Sequence, residues 1–259
     1  MLAPGKVNLT LLVGAPRADG LHPLVSLVQP VDLADEVTIE PSTRDEVVCP
    51  GVEGENLALM ALREFRTATG WQGPPQRITI AKRIPIAGGM AGGSSDAAAT
   101  LKLISDVAQR PIPADLPPRL GADVTVMLHA QRALMTGAGE HVEPLLGAKP
   151  PLIVVPLAAT LTARDVYRAF DAHATPRTAE ELDAAAQRIR AGQIEYVNDL
   201  EAPARHLCPA IAPALKALER AGVEHPMVSG SGPTVFGVSD DPDALARLRA
   251  AGYPQATRA

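Results

Sequence analysis

The sequence predicts an α+β protein built as two domains. Three observations carry that expectation. The chain has 259 residues, enough for one large domain or two of ordinary size. Lys149-Pro150-Pro151 reads as a boundary, giving domains at 1–148 and 149–259. Beyond it, the order of strand-like and helix-like segments suits an α+β sandwich.

Taken in order, Lys6 to Val13 reads as a strand, with Val7, Leu9 and Leu11 on one face and Asn8, Thr10 and Leu12 on the other. Arg17-Ala18-Asp19-Gly20 is turn chemistry, and His22 follows it. Leu24 to Pro30 and Glu36 to Glu40 read as two further strands joined by Asp32 to Asp35. Asn56 can cap a helix whose Leu57, Leu59, Met60, Leu62 and Phe65 leave one apolar face. Gly70 to Pro75 ends it, and Arg77 to Ala81 alternates as a strand should. Lys82 and Arg83 then carry positive charge to the mouth of a glycine-rich loop.

That loop, Pro85-Ile86-Ala87-Gly88-Gly89-Met90-Ala91-Gly92-Gly93-Ser94-Ser95-Asp96, leads into an Ala-rich helix from Ala97 to Ile104. Glycine leaves no Cβ between backbone and ligand, so successive N–H groups can converge on an anion. Ser94, Ser95 and Asp96 are all good N-caps, and a helix starting there turns its unpaired N–H groups toward the loop. The stretch reads as a phosphate cradle. It is not the nucleotide loop that ends in Gly-Lys-Ser/Thr, because no lysine precedes Ser94. Nor does it space its glycines as a dinucleotide fingerprint does.

Pro111, Pro113, Pro117 and Pro118 forbid a long element after that helix. Asp123 precedes Val124 to Leu128, an apolar run read as a short strand or buried segment. An unpaired carboxylate there is costly, so Asp123 caps, pairs with a cation or does chemistry. Ala133 to Thr136 is strand-like and Gly137 to Glu140 turns. Leu152 to Pro156 reads as a strand, Arg164 to Phe170 as a helix, and Thr178 to Ala191 as a helix opened by a Thr178–Glu181 capping box. Asn198-Asp199-Leu200-Glu201 leads into a helical region ending near Gly222. Strands at Met227 to Ser229 and Thr234 to Val238 flank Gly230-Ser231-Gly232; a helix from Pro242 to Ala251 and a strand from Gln255 to Arg258 complete the chain.

Composition excludes several functions. The net charge is −5 and there is no basic tract, which argues against broad nucleic-acid binding. Cys49 and Cys208 form neither a metal spacing nor a disulfide framework, which suits a reducing cytosol. Met1 to Asn8 lacks the apolar core of a signal peptide, and no apolar run reaches the ~20 residues a bilayer requires. A cytoplasmic protein without nucleic-acid or membrane partners is expected.

Ala3-Pro4-Gly5-Lys6-Val7-Asn8-Leu9, the loop from Pro85 to Ala97, and Ser229-Gly230-Ser231-Gly232 together resemble the three motifs of one kinase superfamily. It includes galactokinase, homoserine kinase, mevalonate kinase and phosphomevalonate kinase. Arg17-Ala18-Asp19-Gly20-Leu21-His22, Gly121-Ala122-Asp123-Val124 and Asn198 to Glu201 make the chain similar to the branch that phosphorylates 4-diphosphocytidyl-2-C-methyl-D-erythritol. The resemblance implies an N-terminal ribosomal-protein-S5-like domain, a C-terminal ferredoxin-like sandwich and an active site in the cleft between them. It implies ATP-dependent transfer to the 2-hydroxyl of that cytidyl diphosphate, in the non-mevalonate route to isoprenoid precursors. Lys6 and Asp123 match the catalytic pair. Pro85, Ile86, Ala87, Gly88, Gly89, Met90, Ala91, Gly92, Gly93, Ser94 and Ser95 match the ATP-phosphate loop, with Asn56 and Lys82 near the nucleotide. Asn8, His22, Tyr167, Gly230, Ser231 and Gly232 match the substrate side. Magnesium is expected on the nucleotide, with no metal held by the protein itself, and the chain is expected to be a monomer or weak homodimer. The alternatives are a kinase of the same superfamily acting on another alcohol, or a catalytically silent nucleotide-binding protein.

The chain departs from that pattern in places. Leu21 stands where an aromatic side chain stacks on cytosine, with Tyr167 a candidate for the opposite wall. Ala91 replaces a glycine, Thr125 replaces a proline, and Ser105 to Leu120 is short and proline-rich.

Overall fold

The computed structural model describes residues 1–259. Strands β1 (Leu2–Val13), β2 (Leu24–Pro41) and β3 (Glu46–Val48) precede helix α1 (Leu57–Thr69) and β4 (Gln76–Ala81). Helices α2 (Gly92–Ala108), α3 (Leu116–Leu120) and α4 (Ala122–His129) follow, then β5 (Ala133–Thr136), β6 (His141–Pro144) and β7 (Leu152–Val155). The remainder runs α5 (Ala163–His173), α6 (Ala179–Arg190), β8 (Val197–Asn198), α7 (Glu201–Leu207) and α8 (Ile211–Arg220). It closes with β9 (Glu224–Val228), β10 (Val235–Val238), α9 (Ala244–Ala250) and β11 (Thr257–Arg258). Two compact units result, the first from Met1–Gly5, Leu33–Ile86 and Ala91–Gln131, the second from Lys6–Asp32, Ala87–Met90 and Arg132–Ala259.

In the first unit the end of β2 pairs antiparallel with β4, Val37 opposite Ile80 and Ile39 opposite Ile78, and β3 joins β4 in parallel. These apolar residues alternate with polar ones, so one sheet face is buried. Helix α1 is capped by Asn56, whose side chain accepts from Ala58 N at 2.9 Å, and it ends at a left-handed Gly70. Ala58, Ala61, Leu62 and Phe65 fall three or four apart and bury one face, against which α2 packs. Helices α3 and α4 complete this unit.

In the second unit a four-stranded antiparallel sheet runs β11-β7-β10-β9. Every residue of β7 is buried. Ile153, Val155, Phe170, Leu215, Leu218, Val228 and Val235 share its core, and α8 packs on β9 and β10. The start of β2 pairs with β5, Leu27 opposite Leu134, and β8 lies parallel to β1 with Thr10 opposite Val197. The capping box at Thr178 forms as expected, Glu181 closing it from the third helical position.

Several elements differ from the sequence reading: β1 begins at Leu2, four residues before Lys6, and β3, α3, β6 and β8 have no counterpart in it. Leu24 to Pro41 is a single strand, because Asp35 satisfies its carboxylate within the fold and need not turn out to solvent. Val124 to Leu128 lies in a helix, not a strand; a five-residue apolar run has no decisive period, and here Val124 and Met127, one turn apart, are buried. Helix α2 starts at Gly92, so Ser94, Ser95 and Asp96 sit inside its first turns and none caps it. Their side chains are engaged elsewhere: Ser95 Oγ donates to Pro4 O at 2.7 Å, and Asp96 pairs with Lys82. The helical region after Asn198 is two helices, because Cys208 precedes a proline and is extended, at φ −129° and ψ 91°.

Candidate active site

Strand β1 places Lys6 and Asn8 two residues apart, hence on one face. Both are almost wholly buried, at 5% and 4% exposure. Lys6 Nζ donates to Asn8 Oδ1 at 2.8 Å, Asn8 Nδ2 donates to Ser26 Oγ at 2.8 Å, and Ser26 Oγ donates to Thr10 O at 2.8 Å. Each donor meets an acceptor, so the relay fixes the orientation of the amide and of the ammonium it holds. The Lys6 amide in turn donates to Met90 O at 3.0 Å, tying β1 to the glycine loop.

The Gly230-Ser231-Gly232 turn closes over the same residues. Ser229 Oγ donates to Gly89 O at 3.0 Å and Thr234 N donates to Gly88 O at 3.3 Å. Gly89 has φ +75°, and a Cβ there would stand 2.2 Å from Ser229 O and 2.8 Å from Gly232 N. Only glycine fits that crossing. A Cβ at Gly230 would reach Asn8 Oδ1 at 3.2 Å and Lys6 Nζ at 3.5 Å. Asn198 holds the turn from below, Nδ2 donating to Val228 O at 2.9 Å and Gly230 O at 2.8 Å. Lys6, Asn8, Gly88, Gly89, Met90 and the Gly230 turn thus form one cluster within the second unit.

The first unit holds the other part of the loop. Pro85 and Ile86 lead away from β4, and Ala91 caps α2 with φ +55° and ψ 28° and no side-chain hydrogen bond. Helix α2 has no acidic residue in its first turn, and a Cβ at Gly93 would meet nothing within 4 Å. The first amides of a 17-residue helix have no intrahelical acceptor, so this N-terminus is chemically suited to receive a phosphate. Ser94 is half-buried and Ser95 buried in that first turn. Asp123 stands half-buried in the first turn of α4.

Lys82, at the end of β4, donates to Asp35 Oδ2 at 2.5 Å and Asp96 Oδ2 at 2.8 Å. Asp35 is fully buried and also accepts from Arg83 N at 2.5 Å and Ile84 N at 2.8 Å. Burial opposes the charge on Lys82, but the hydrogen bonds to its two carboxylates outweigh it and raise its pKa. Burial pushes the Asp96 carboxyl up to about 6, despite the pull of Lys82. Neither carboxylate was marked by sequence as a site residue: Asp35 read as a linker and Asp96 as a cap.

His22 lies in the second unit, on a hollow of about 430 Å³ lined also by Leu21, Arg164, Tyr167, Arg168 and Asp171. Its Nε2 is 2.7 Å from Asp171 Oδ1, and its ring sits 4.9 Å from Tyr167 at 38° and edge-on to Phe170 at 6.0 Å. Helix α5 supplies all three neighbours on one face. Leu21 is 53% exposed beside it.

The chain is similar to known proteins over most of its length. The family described as GHMP kinases N terminal domain matches residues 56–131, and GHMP kinases C terminal matches residues 171–255. A 4-diphosphocytidyl-2-C-methyl-D-erythritol kinase of Cereibacter sphaeroides is 40% identical over 246 residues, covering 91% of this chain and 87% of its own length. The protein so named from Paracoccus denitrificans is 40% identical over 262 residues, covering 96% and 91%. The chain belongs to the 4-diphosphocytidyl-2-C-methyl-D-erythritol kinase family. A crystal structure of 4-(cytidine 5'-diphospho)-2C-methyl-D-erythritol kinase matches all of this kinase and 97% of that chain, with TM-score 0.82 and 34% identity. Homoserine kinase from Cytophaga hutchinsonii, at 14% identity and TM-score 0.63, shares the fold, matching 96% of this chain and 90% of its own. The two-domain α+β expectation is therefore met, and the protein is an ATP-dependent kinase of isoprenoid precursor biosynthesis. None of its helices is long and apolar enough to cross a membrane.

Proposed function

We propose that this kinase transfers the γ-phosphoryl group of ATP directly to the 2-hydroxyl of 4-diphosphocytidyl-2-C-methyl-D-erythritol. The observation that carries the reading is the buried Lys6 ammonium, held 2.8 Å from Asn8 Oδ1 beneath the Gly89–Gly230 crossing. It lies in a chain 40% identical over most of its length to enzymes of that name. Phosphoryl transfer asks mainly for positioning and charge stabilisation. Asp123 accepts the hydroxyl proton as the oxygen attacks. Lys6 offsets negative charge developing on oxygen. Loop amides and the start of α2 hold the phosphates. His22 and Tyr167 receive the cytosine, and the Gly230 turn with Asn8 flanks the alcohol. Asn56 and Lys82 lie near the nucleotide.

Magnesium would be held mostly by phosphate oxygens, where it would neutralise their charge. On this reading the enzyme works in the cytoplasm as a monomer or weak homodimer, with domains at 1–148 and 149–259.

Purified protein with ATP, magnesium and the cytidyl alcohol is expected to release ADP, while homoserine, mevalonate and galactose do not substitute. Asp123→Asn is expected to abolish turnover and leave ATP binding intact. Near-normal turnover by that variant would remove Asp123 from the role of base, and a trapped phosphoprotein intermediate would exclude direct transfer.

A further inference from the structure

The two stems of the glycine loop come together in the first unit. A Cβ on Gly92, at the start of α2, would stand 3.0 Å from Ile84 Cγ2 and 3.1 Å from Lys82 Nζ. Where they meet, one ammonium serves two carboxylates from different elements, Asp35 on β2 and Asp96 on α2. Asp35 does more than neutralise charge, because its second oxygen takes the amides of Arg83 and Ile84, the last residues before the loop. Asp96 Oδ1 is buried with no hydrogen-bond partner. The side chain therefore spends its bonding on Lys82, one turn into the helix that follows the glycine loop.

We propose that Asp35 and Asp96 are positioning residues for ATP: by sharing Lys82 they brace the exit of β4 against the first turns of α2, and so fix the span of the phosphate loop between them. Lys82 then acts on the nucleotide chiefly through this brace, because both short contacts of its ammonium are to protein carboxylates. The assignment rests on the kinase reading but concerns ATP, whichever alcohol is phosphorylated. The titratable groups acting on Asp96 are Lys82 and Asp35, with the half-buried Cys49 thiol close by. Protonating Asp96 loosens the brace, and its raised pKa places that event near pH 6.

The test is calorimetric titration of the full chain with ATP and magnesium, without the alcohol, from pH 5.5 to 8. Wild type is expected to lose affinity as pH falls through about 6. Asp96→Asn is expected to bind about tenfold more weakly at pH 8 and to lack that inflection. In turnover it should raise KM for ATP while leaving KM for the alcohol unchanged. Asp35→Asn keeps an oxygen for the two amides but loses the charge, and should weaken ATP in the same way. Asp96→Glu is expected to restore part of the affinity. Should Asp35→Asn not fold, Asp96→Asn alone decides. Wild-type affinity and an unchanged pH profile in Asp96→Asn would overturn the proposal. Weakened ATP binding in a protein that rejects the cytidyl alcohol would uphold the brace and sink only the substrate.

Discussion

Lys6 and Asn8 face one another on β1, ammonium to amide oxygen at 2.8 Å, in surroundings almost closed to water. A hydrogen bond to a buried charge contributes about 1.5–3 kcal/mol. Asn8→Leu removes the acceptor and frees Ser26 Oγ from its donor. The variant is expected to lower kcat about 10- to 100-fold with ATP affinity little changed. Steady-state kinetics and ATP titration check it; an unaltered kcat would mean Lys6 is oriented by other groups.

Gly89→Ala is expected to be the most damaging change in the loop. The new methyl would lie 2.2 Å from a backbone oxygen, Ser229 O, which cannot swing aside as a flexible side chain can. The +75° φ adds strain of its own. Loss of at least ~2 kcal/mol of stability is expected, together with loss of ATP binding. Thermal unfolding and ATP titration measure the two.

Local chemistry was legible where one residue decides it. Asn56 and Thr178 cap their helices as their side chains dictate. Less was legible where a distant partner decides. Asp35 follows a proline and another aspartate, which locally reads as a break; amides nearly fifty residues along the chain make it part of a strand. The Ser94-Ser95-Asp96 run carries capping chemistry, yet Pro4 and Lys82 claim two of those side chains. Asp171, the partner of His22, sits 149 residues away and carries no local mark.

Ala91 occupies a left-handed conformation at φ +55° with no side-chain cap to compensate. An L-residue there costs about 1–2 kcal/mol relative to glycine. Glycine gives back roughly 0.4–1 kcal/mol through the freer unfolded chain. Ala91→Gly is therefore expected to raise stability slightly, by about 0.5–1 kcal/mol, or ~2 °C in Tm. A fall in Tm by scanning calorimetry would show that the Ala91 methyl packs better than its backbone suggests.

Asp96 makes stability depend on pH in the direction opposite to an ordinary paired carboxylate. Its folded pKa, about 6, lies above the reference value of 3.8, so the folded chain holds a proton the unfolded chain releases. That contribution is fully present below pH 3.8 and is lost as pH rises through about 6. The loss is at most ~3 kcal/mol. Asp96→Asn removes this titration, so the difference in urea-unfolding free energy between variant and wild type should shift in the variant's favour from pH 4 to pH 7. A difference that stays flat over that range would place the Asp96 pKa near its ordinary value.

Leu21 borders the His22 hollow, half-exposed, at the position where the sequence resemblance implies an aromatic ring. Tyr167 and His22 already offer ring faces, tilted by 38° and 4.9 Å apart. A second aromatic wall stacked on a base adds about 1–3 kcal/mol. Leu21→Tyr is expected to tighten the cytidyl substrate roughly tenfold, visible in KM and in CDP affinity, with kcat and ATP affinity unchanged. Leu21→Ala separates stacking from shape: if leucine contributes only a loose apolar contact, alanine weakens the substrate by less than tyrosine strengthens it. Equal affinity for CDP in wild type and Leu21→Tyr would show that the base does not rest on this wall, and Arg164, on the same hollow, would become the next position to replace.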